Sequence, residues 1–186
     1  MYLLGGAFAV SLNGEIKLFF DNCLSNRLPG VIISAYGEDC VTLEVKHLRD
    51  LFHQEDADRD FLPVLEQDKN WIVITADRGK DPKKEKLPVL CNQLGLSHIA
   101  LTPSFHQAGY LVHKHGFLAL FPQLLCIRHL PRGTRVSMGF KTYHQRAWPC
   151  LSIGGKDFDA WCISNGIAMP DGKGNQIRPQ PPGPSP

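Results

Sequence analysis

Short apolar runs that alternate with helical patterns predict an α/β protein, in which helices cover both faces of a central, mostly parallel sheet. Apolar runs of strand length occur at Ile16–Phe20, Val41–Val45 and Trp71–Thr75. Stretches with the apolar spacing of helices separate these runs. The chain has 186 residues, which is enough for one domain with a substantial core and a tail.

The helices of the first half begin after each strand. Leu24–Tyr36 has helical apolar spacing, which Pro29-Gly30 interrupts, and His47–Phe52 fits one or two helical turns. The next helix opens at Asp56–Asp60 and runs to about Gln67. We expect Asp58 to be its N-cap, because a carboxylate accepts hydrogen bonds from the free backbone N–H groups of the first turn.

The second half continues the alternation. Asp81-Pro82 is typical of a helix start, with Asp as the cap and Pro at the first position. That helix should end at Gly95. The remaining predicted elements are a strand at Ser97–Leu101, helices at Phe105–His113 and Phe117–Arg128, and a last strand at Arg135–Phe140.

Composition divides the chain into three parts. We interpret residues 1–14 as an N-terminal extension, residues 15–140 as the folded domain, and residues 141–186 as a C-terminal extension. The last part is rich in Gly and Pro and ends Pro-Gln-Pro-Pro-Gly-Pro-Ser-Pro. Such a composition offers little to bury, so we expect disorder after about residue 154.

Charge is distributed unevenly. Residues 1–110 carry 11 Lys/Arg and 15 Asp/Glu, and residues 111–186 carry 9 and 3. The net charges are therefore −4 and +6. This pattern could hold a metal in one half and a polyanion in the other, although a solvated basic surface would also explain it. Between Leu111 and Cys150 there is no acid, and the basic residues are Lys114, Arg128, Arg132, Arg135, Lys141 and Arg146.

Cysteine usage and hydropathy indicate a cytoplasmic protein. None of the six cysteines forms a CxxC pair, which gives a zinc site little support. Met1–Leu12 is apolar but too short to cross a bilayer, so we expect no membrane association. Reduced thiols are the default for a cytosolic chain.

Three acids are placed where an α/β sheet collects function. Asp21 directly follows the first strand, Asp77 follows the Trp71–Thr75 strand, and Asp58 stands at a helix start. Strand ends and helix starts share the carboxyl edge of such a sheet. Three carboxylates there repel one another unless a cation bridges them, and Mg²⁺ prefers such oxygens and suits phosphate chemistry. Alternatively, each acid is an ordinary helix cap or turn residue.

The segments around these acids resemble a known family. Phe19–Ser25, Asp58–Leu62 and Trp71–Asp77, with Leu28, Gly37 and Leu65, are similar to PIN-like domains, most of all to the branch grouped with VapC-type toxins. The resemblance extends from about Lys17 to Pro131. It implies a three-layer α/β/α nuclease that holds Mg²⁺ or Mn²⁺ through three or four acids.

Carried over residue by residue, the resemblance assigns the site. Asp21 matches the first-strand acid, Asp58 the helix-start acid, and Asp77 the acid after the Thr. Asp60 replaces Asp58 if the helix begins two residues later, and Glu85 is a candidate fourth acid. The residues that could orient these ligands from behind are Asn22 and Thr75.

The resemblance thus implies a Mg²⁺-dependent endoribonuclease that is the toxin of a toxin–antitoxin pair. Its partners would be RNA and an antitoxin protein, and a homodimer is left open. We expect Arg128, Arg132 and Arg135 to hold RNA beside the acids.

Two other functions are compatible with the fold class. One is a non-catalytic module of the same fold that binds RNA or protein. The other is an aspartyl phosphotransferase, but such enzymes carry Asp-x-Asp at the first strand, and this chain reads Asp21-Asn22-Cys23.

Overall fold

The computed structural model describes residues 15–38, 42–68, 70–77, 86–167, 169–170 and 176–177. Within these residues the chain forms a seven-stranded sheet with helices on both faces, which confirms the predicted α/β class. The predicted N-terminal extension, residues 1–14, lies outside the described residues.

The sheet has the strand order β2-β1-β3-β4-β5-β6-β7. The first five strands in this order are parallel, and the last two run antiparallel to their neighbours. The strands are β1 Glu15–Phe20, β2 Thr42–His47, β3 Trp71–Thr75, β4 His98–Leu101, β5 Arg135–Tyr143, β6 Arg146–Ile153 and β7 Lys156–Asp157.

Helices connect the parallel strands β1 to β5, and a 3₁₀ turn at Ile127–His129 precedes β5. A separate two-stranded ladder pairs β8 Met169–Pro170 with β9 Gln176–Ile177. The helices are α1 Leu28–Tyr36, α2 Leu48–Leu51, α3 Asp58–Gln67, α4 Leu87–Leu94, α5 Pro103–Gln107, α6 Tyr110–Cys126 and α7 Phe158–Ser164.

The interior strand β1 supplies side chains to both halves of the core, because successive residues of a strand point to opposite faces. Leu18 and Phe20 pack in the cluster that includes α1, α6 and α7. Phe19 packs in the second cluster, with side chains of α3 and α4. The sheet is therefore the middle of three layers.

The two helices after β4 begin and end elsewhere than predicted. The Thr102 side chain accepts a hydrogen bond from the Phe105 backbone N–H and starts α5, with Pro103 in its first turn. Gly109, at a φ of 82°, then separates α5 from α6. The cap at Thr102 and the glycine hinge decide these bounds, and the apolar spacing alone did not reveal them.

The region after residue 140 also differs from the prediction. Strand β5 continues to Tyr143, so a boundary at residue 140 falls inside a strand. Beyond residue 154, α7 buries Phe158 and Cys162 in the larger core cluster. These side chains lie four residues apart and so share one helical face, which gives this short segment enough apolar surface to dock.

A candidate active site at the carboxyl edge of the sheet

Asp21 and Asp77 lie at the point where the strand order reverses. Strand β1 has β2 on one side and β3 on the other, and in open α/β sheets such a reversal opens a crevice at the carboxyl ends of the strands. Phe20 pairs with Ile74, and the Asp21 backbone N–H donates to the Ile74 carbonyl at 3.0 Å. The residues that follow β1 and β3 therefore adjoin each other.

The hydroxyl of Thr75 links these two acidic segments. Thr75 is buried, and its Oγ1 donates to Asp21 Oδ2 at 2.7 Å. The same oxygen accepts the Asp77 backbone N–H at 2.9 Å. A hydroxyl has one donor and two acceptor positions, so Thr75 fixes the carboxylate after β1 and the backbone after β3 together.

Asn22 orients Asp21 through its backbone. Its N–H donates to Asp21 Oδ1 at 2.6 Å, while its side-chain oxygen accepts from Arg49 Nε at 3.0 Å. The sequence predicted that Asn22 could orient a ligand residue; its backbone N–H contacts Asp21, and its side chain holds Arg49. Arg49 belongs to α2, directly after β2, and brings a guanidinium to this edge of the sheet.

The same edge is braced by His47 at the start of α2. Its Nδ1 accepts from the Arg49 backbone N–H at 3.2 Å, so the proton of the neutral ring lies on Nε2. His47 Nε2 lies 3.1 Å from the Leu24 carbonyl and donates to it. The His47 backbone N–H in turn donates to Asp50 at 2.8 Å, completing a capping box. The loop after β1 is thereby tied to α2.

Cys23 contributes a neutral thiol to the candidate site. The residue as a whole is exposed, but its sulfur donates to Asp21 Oδ2 at 3.3 Å and accepts the Ala76 N–H at 3.1 Å. Burial of the sulfur, together with the Asp21 charge, raises the pKa of the Cys23 thiol to about 12. At neutral pH the thiol keeps its proton and acts as a hydrogen-bond donor to Asp21.

Asp58 faces the core side of α3, and Asp60 does not. Asp58 is the first helical residue rather than the cap, which is Ala57. Asp58 precedes the buried residues Phe61, Leu62 and Leu65 by three, four and seven positions, so it lies on the same face of the helix as they do. Asp60 is exposed.

Electrostatics relates Asp58 to Asp21. Cys91, in α4, is buried, and burial followed by the charges of Asp58 and Asp21 raises the pKa of its thiol to about 12. Both carboxylates therefore act on one buried thiol. Of the two alternatives at the start of α3, the position of Asp58 on the core-facing side of the helix favours it over the exposed Asp60.

Within the described residues, no three His, Cys, Asp or Glu side chains are grouped so as to hold a metal ion. The candidate fourth acid, Glu85, lies outside the described residues. The direct contacts thus join Asp21 to the Asp77 segment through Thr75. Asp58 is related to Asp21 by charge, since both carboxylates add to the effect of burial in raising the pKa of Cys91.

The three arginines predicted to hold RNA lie at the opposite edge of the sheet. Arg135 is the first residue of β5 and pairs with His98, the first residue of β4. Arg132 precedes it and binds Glu66 at 3.1 Å. Arg128 lies in the 3₁₀ turn before them and donates to His129 at 3.1 Å. The structure does not bring these residues to the carboxyl edge with Asp21 and Asp77.

Two residues at the site had been passed over in the sequence. Arg49 lies in a helix of four residues, which gives no periodic signal, although its place directly after a strand could have marked it. Cys23 stands two residues after Asp21, which suggests a place near the site, but it also directly precedes the predicted Leu24–Tyr36 helix and so fits a buried helix cysteine. The structure starts α1 at Leu28, which leaves Cys23 in the loop beside Asp21.

Among the described residues, no helix has the length and apolarity needed to cross a bilayer.

Comparison with known proteins gives a family-level match for part of the chain. Neither the curated proteins nor the solved structures contain a match. Residues 16–96 match the family model described as a PIN like domain, and this stretch contains Asp21, Asp58, Asp77 and the connecting Thr75.

Proposed function

We propose that this protein is a metal-dependent endoribonuclease that hydrolyses RNA at the carboxyl edge of the sheet. The observation that carries the proposal is the Thr75 hydroxyl, which joins Asp21 and the Asp77 backbone at 2.7 and 2.9 Å across the strand-order reversal. A buried hydroxyl that fixes acidic segments at this position suits a phosphate-processing site. The match of residues 16–96 to a PIN like domain adds support, because PIN-like domains are commonly nucleases.

The side chains present fit Mg²⁺ or Mn²⁺. Both ions prefer carboxylate oxygens, and Mg²⁺ is commonly bound through one or two protein carboxylates, with water and substrate phosphate completing its shell. Asp21 and Asp77 would supply those two carboxylates, since the described residues do not bring three such side chains together around one ion. When bound there, the ion would supply Lewis-acid stabilisation of charge on the phosphodiester.

The residues behind Asp21 hold its carboxylate in one orientation. The Asn22 N–H, the Thr75 hydroxyl and the Cys23 thiol donate three hydrogen bonds to it. A carboxylate has about four acceptor positions, so the hydrogen bonds from the described residues leave one for a ligand. Arg49, which Asn22 holds, supplies positive charge for a phosphate on the same edge.

The thiol beside the acids is not a nucleophile. With a pKa of about 12, Cys23 holds almost no thiolate at neutral pH. We propose water as the attacking group, with the carboxylates positioning the substrate rather than forming a covalent bond to it.

Asp21→Asn tests the proposal. The change removes a ligand charge and keeps the shape of the side chain, so Mg²⁺-dependent cleavage of a labelled RNA should fall by more than the roughly 10- to 100-fold that loss of an outer-shell partner costs. Asp58→Asn should also reduce cleavage, while Asp60→Asn, two residues along the same helix and exposed, is the matched control. Wild-type cleavage by Asp21→Asn would exclude this site.

The toxin part of the proposal has its own test. It rests on the resemblance to the VapC-type branch and predicts that expression of the wild-type chain arrests bacterial growth, whereas Asp21→Asn does not. Normal growth with the active wild-type enzyme would leave a ribonuclease without a toxin role.

A further inference from the structure

The antiparallel pair β5–β6 extends beyond the rest of the sheet. Strand β4 ends at Leu101, which pairs with Met138, while β5 runs on to Tyr143 and turns back through β6. We call residues 139–150 the β-hairpin arm. Residues 141–148 are all exposed. Because β5 is parallel to β1 and β3, the arm projects past the same edge that carries Asp21 and Asp77.

One face of the arm carries two aromatic rings and two cations. Lys141 is paired with Trp148, and Tyr143 is paired with Arg146. Opposite residues of an antiparallel pair share a face, as do alternate residues along a strand, so all four side chains lie on one side. Each strand contributes one ring and one cation, and each ring lies opposite a cation. We call this side the arm face.

The two aromatic rings of the arm face are largely exposed to solvent. Tyr143 is 65% exposed and Trp148 is 54% exposed. Phe140, on the other side of the arm, packs against the main core cluster. The rings line an open pocket of about 270 Å³ together with Lys141, Pro149 and Cys150. Adjacent exposed aromatic rings mark an interaction surface.

The charge of the arm face favours an anionic partner. Lys141 and Arg146 belong to the stretch between Leu111 and Cys150 that has no acid. Lys141 binds Asp157 of β7 at 3.3 Å, but both side chains are exposed, and an exposed pair of this kind is weak enough to be exchanged for a phosphate.

The edge of the arm disfavours a protein that adds a strand. Along the arm β6 is an outer strand, since β7 pairs only with Ser152 and Ile153. Pro149 lies in this outer strand and has no N–H to donate to an incoming backbone. The arm face is therefore better suited to a partner than the outer edge of β6.

We infer that the arm face binds single-stranded RNA and holds it beside the acidic edge. Unpaired bases stack on exposed aromatic rings while Lys and Arg neutralise the neighbouring phosphates, and the bases of a duplex cannot do this because they are already stacked. Strand β5 lies two strands from β3, or about 10 Å at the usual strand spacing, so one strand of RNA can contact both places. This inference rests on the proposed function and adds its substrate class.

The test is binding of a fluorescein-labelled, unpaired U-rich RNA by the full chain in EDTA, followed by anisotropy. Trp148→Leu and Tyr143→Leu should each weaken binding about 5- to 150-fold, the range for loss of one stacked base. Trp148→Phe should recover most of the affinity. Thr142→Ala, on the opposite side of the same arm, should bind like the wild type.

Charge variants and a duplex complete the experiment. Lys141→Gln with Arg146→Gln should flatten the dependence of affinity on salt by up to about 1.4 in logarithmic slope, at roughly 0.7 per phosphate contact. Arg132→Gln, at the opposite edge, should not. A duplex of the same length should compete poorly. Melting temperatures of all variants should match the wild type, because every changed side chain is exposed.

The outcomes separate this inference from the proposed ribonuclease. Equal affinity of wild type and ring variants, or no binding by the wild type, would overturn the arm face as an RNA site even if Asp21 proves essential for cleavage. Loss of binding in the ring variants supports it even if Asp21→Asn still cleaves, since EDTA removes cleavage from the measurement.

Discussion

His98 makes the stability of the protein depend on pH. The residue is 1% exposed in the central strand β4, and neither ring nitrogen has a hydrogen-bond partner of good geometry among the described residues. Burial, followed by the charge of Arg135, lowers the pKa of His98 to about 4, while an interaction with the Leu96 backbone opposes this shift. The folded protein therefore keeps this imidazole neutral where the unfolded chain protonates it.

The sign and size of the effect follow from the two pKa values. In the unfolded chain His98 should titrate near its ordinary value of 6.5, and in the fold near 4. Between these values the unfolded state binds the extra proton, so stability falls as the pH is lowered from about 6.5 to 4. The difference of about 2.5 units corresponds to about 3 kcal/mol in the free energy of unfolding. Above pH 6.5 the residue adds no pH dependence.

The assay is urea unfolding of wild type and His98→Leu at several pH values between 4 and 7.5. The variant cannot be protonated, so its free energy of unfolding should exceed that of the wild type by an amount that grows by about 3 kcal/mol as the pH falls to 4. In melting temperature this is about 6–12 °C for a chain of this length. His115→Leu, at an exposed histidine, is the control.

Every other titrating group is common to the two proteins. Subtracting the wild-type free energy of unfolding from that of the variant at each pH therefore leaves only the effect of His98. If the curves of stability against pH for wild type and His98→Leu run parallel, burial does not hold this imidazole neutral, and the reasoning fails.

Two further predictions concern the site and the C-terminal helix. Thr75→Val keeps the shape of the buried side chain but removes the hydroxyl that joins Asp21 to the Asp77 backbone, so RNA cleavage should fall about 10- to 100-fold. Thr75→Ser keeps a hydroxyl and should retain activity. Equal activity of Thr75→Val and wild type would exclude the positioning role. Phe158→Ala should lower the free energy of unfolding by about 3–5 kcal/mol in urea titrations, because this ring is buried in the main core cluster. Ile163→Ala, in the same helix but exposed, should change it by less than about 0.5 kcal/mol, and matching losses would mean that α7 does not dock through Phe158.

The parts of the fold that the sequence predicted best are those with a continuous apolar signal. Trp71–Thr75 is buried at every position, as expected for the interior of a parallel sheet, and the structure forms β3 over the same five residues. The adjacency of the segments after β1 and β3 follows from the same argument, because parallel strands end at a common edge. The alternatives at Asp58 and Asp60 needed the observed start of α3, which rotates Asp60 away from the core.

The features that the sequence did not predict depend on short segments and on chain direction. Helix α7 has only seven residues. The segment around it is rich in Gly and Pro, so the two side chains that dock on the core, Phe158 and Cys162, do not stand out in the sequence. The basic half of the chain was visible in the sequence, but not the edge of the sheet on which each cation falls. Helix α6 returns the chain to the amino edge before Arg135, and only after β5 crosses the sheet does Lys141 reach the other side.

The border of the family match is not the border of a unit that can fold. Residues 16–96 contain the candidate acids but end before β4, which pairs with Val73–Thr75 of β3. A fragment that stops at Leu96 would turn β3 into an outer strand whose five side chains are all apolar or buried, with unpaired backbone groups beside them. It would also strip Phe20 of its contact with Phe117 of α6. Such an edge is a template for aggregation, so the acids depend for their positions on a half of the chain that contributes none of them.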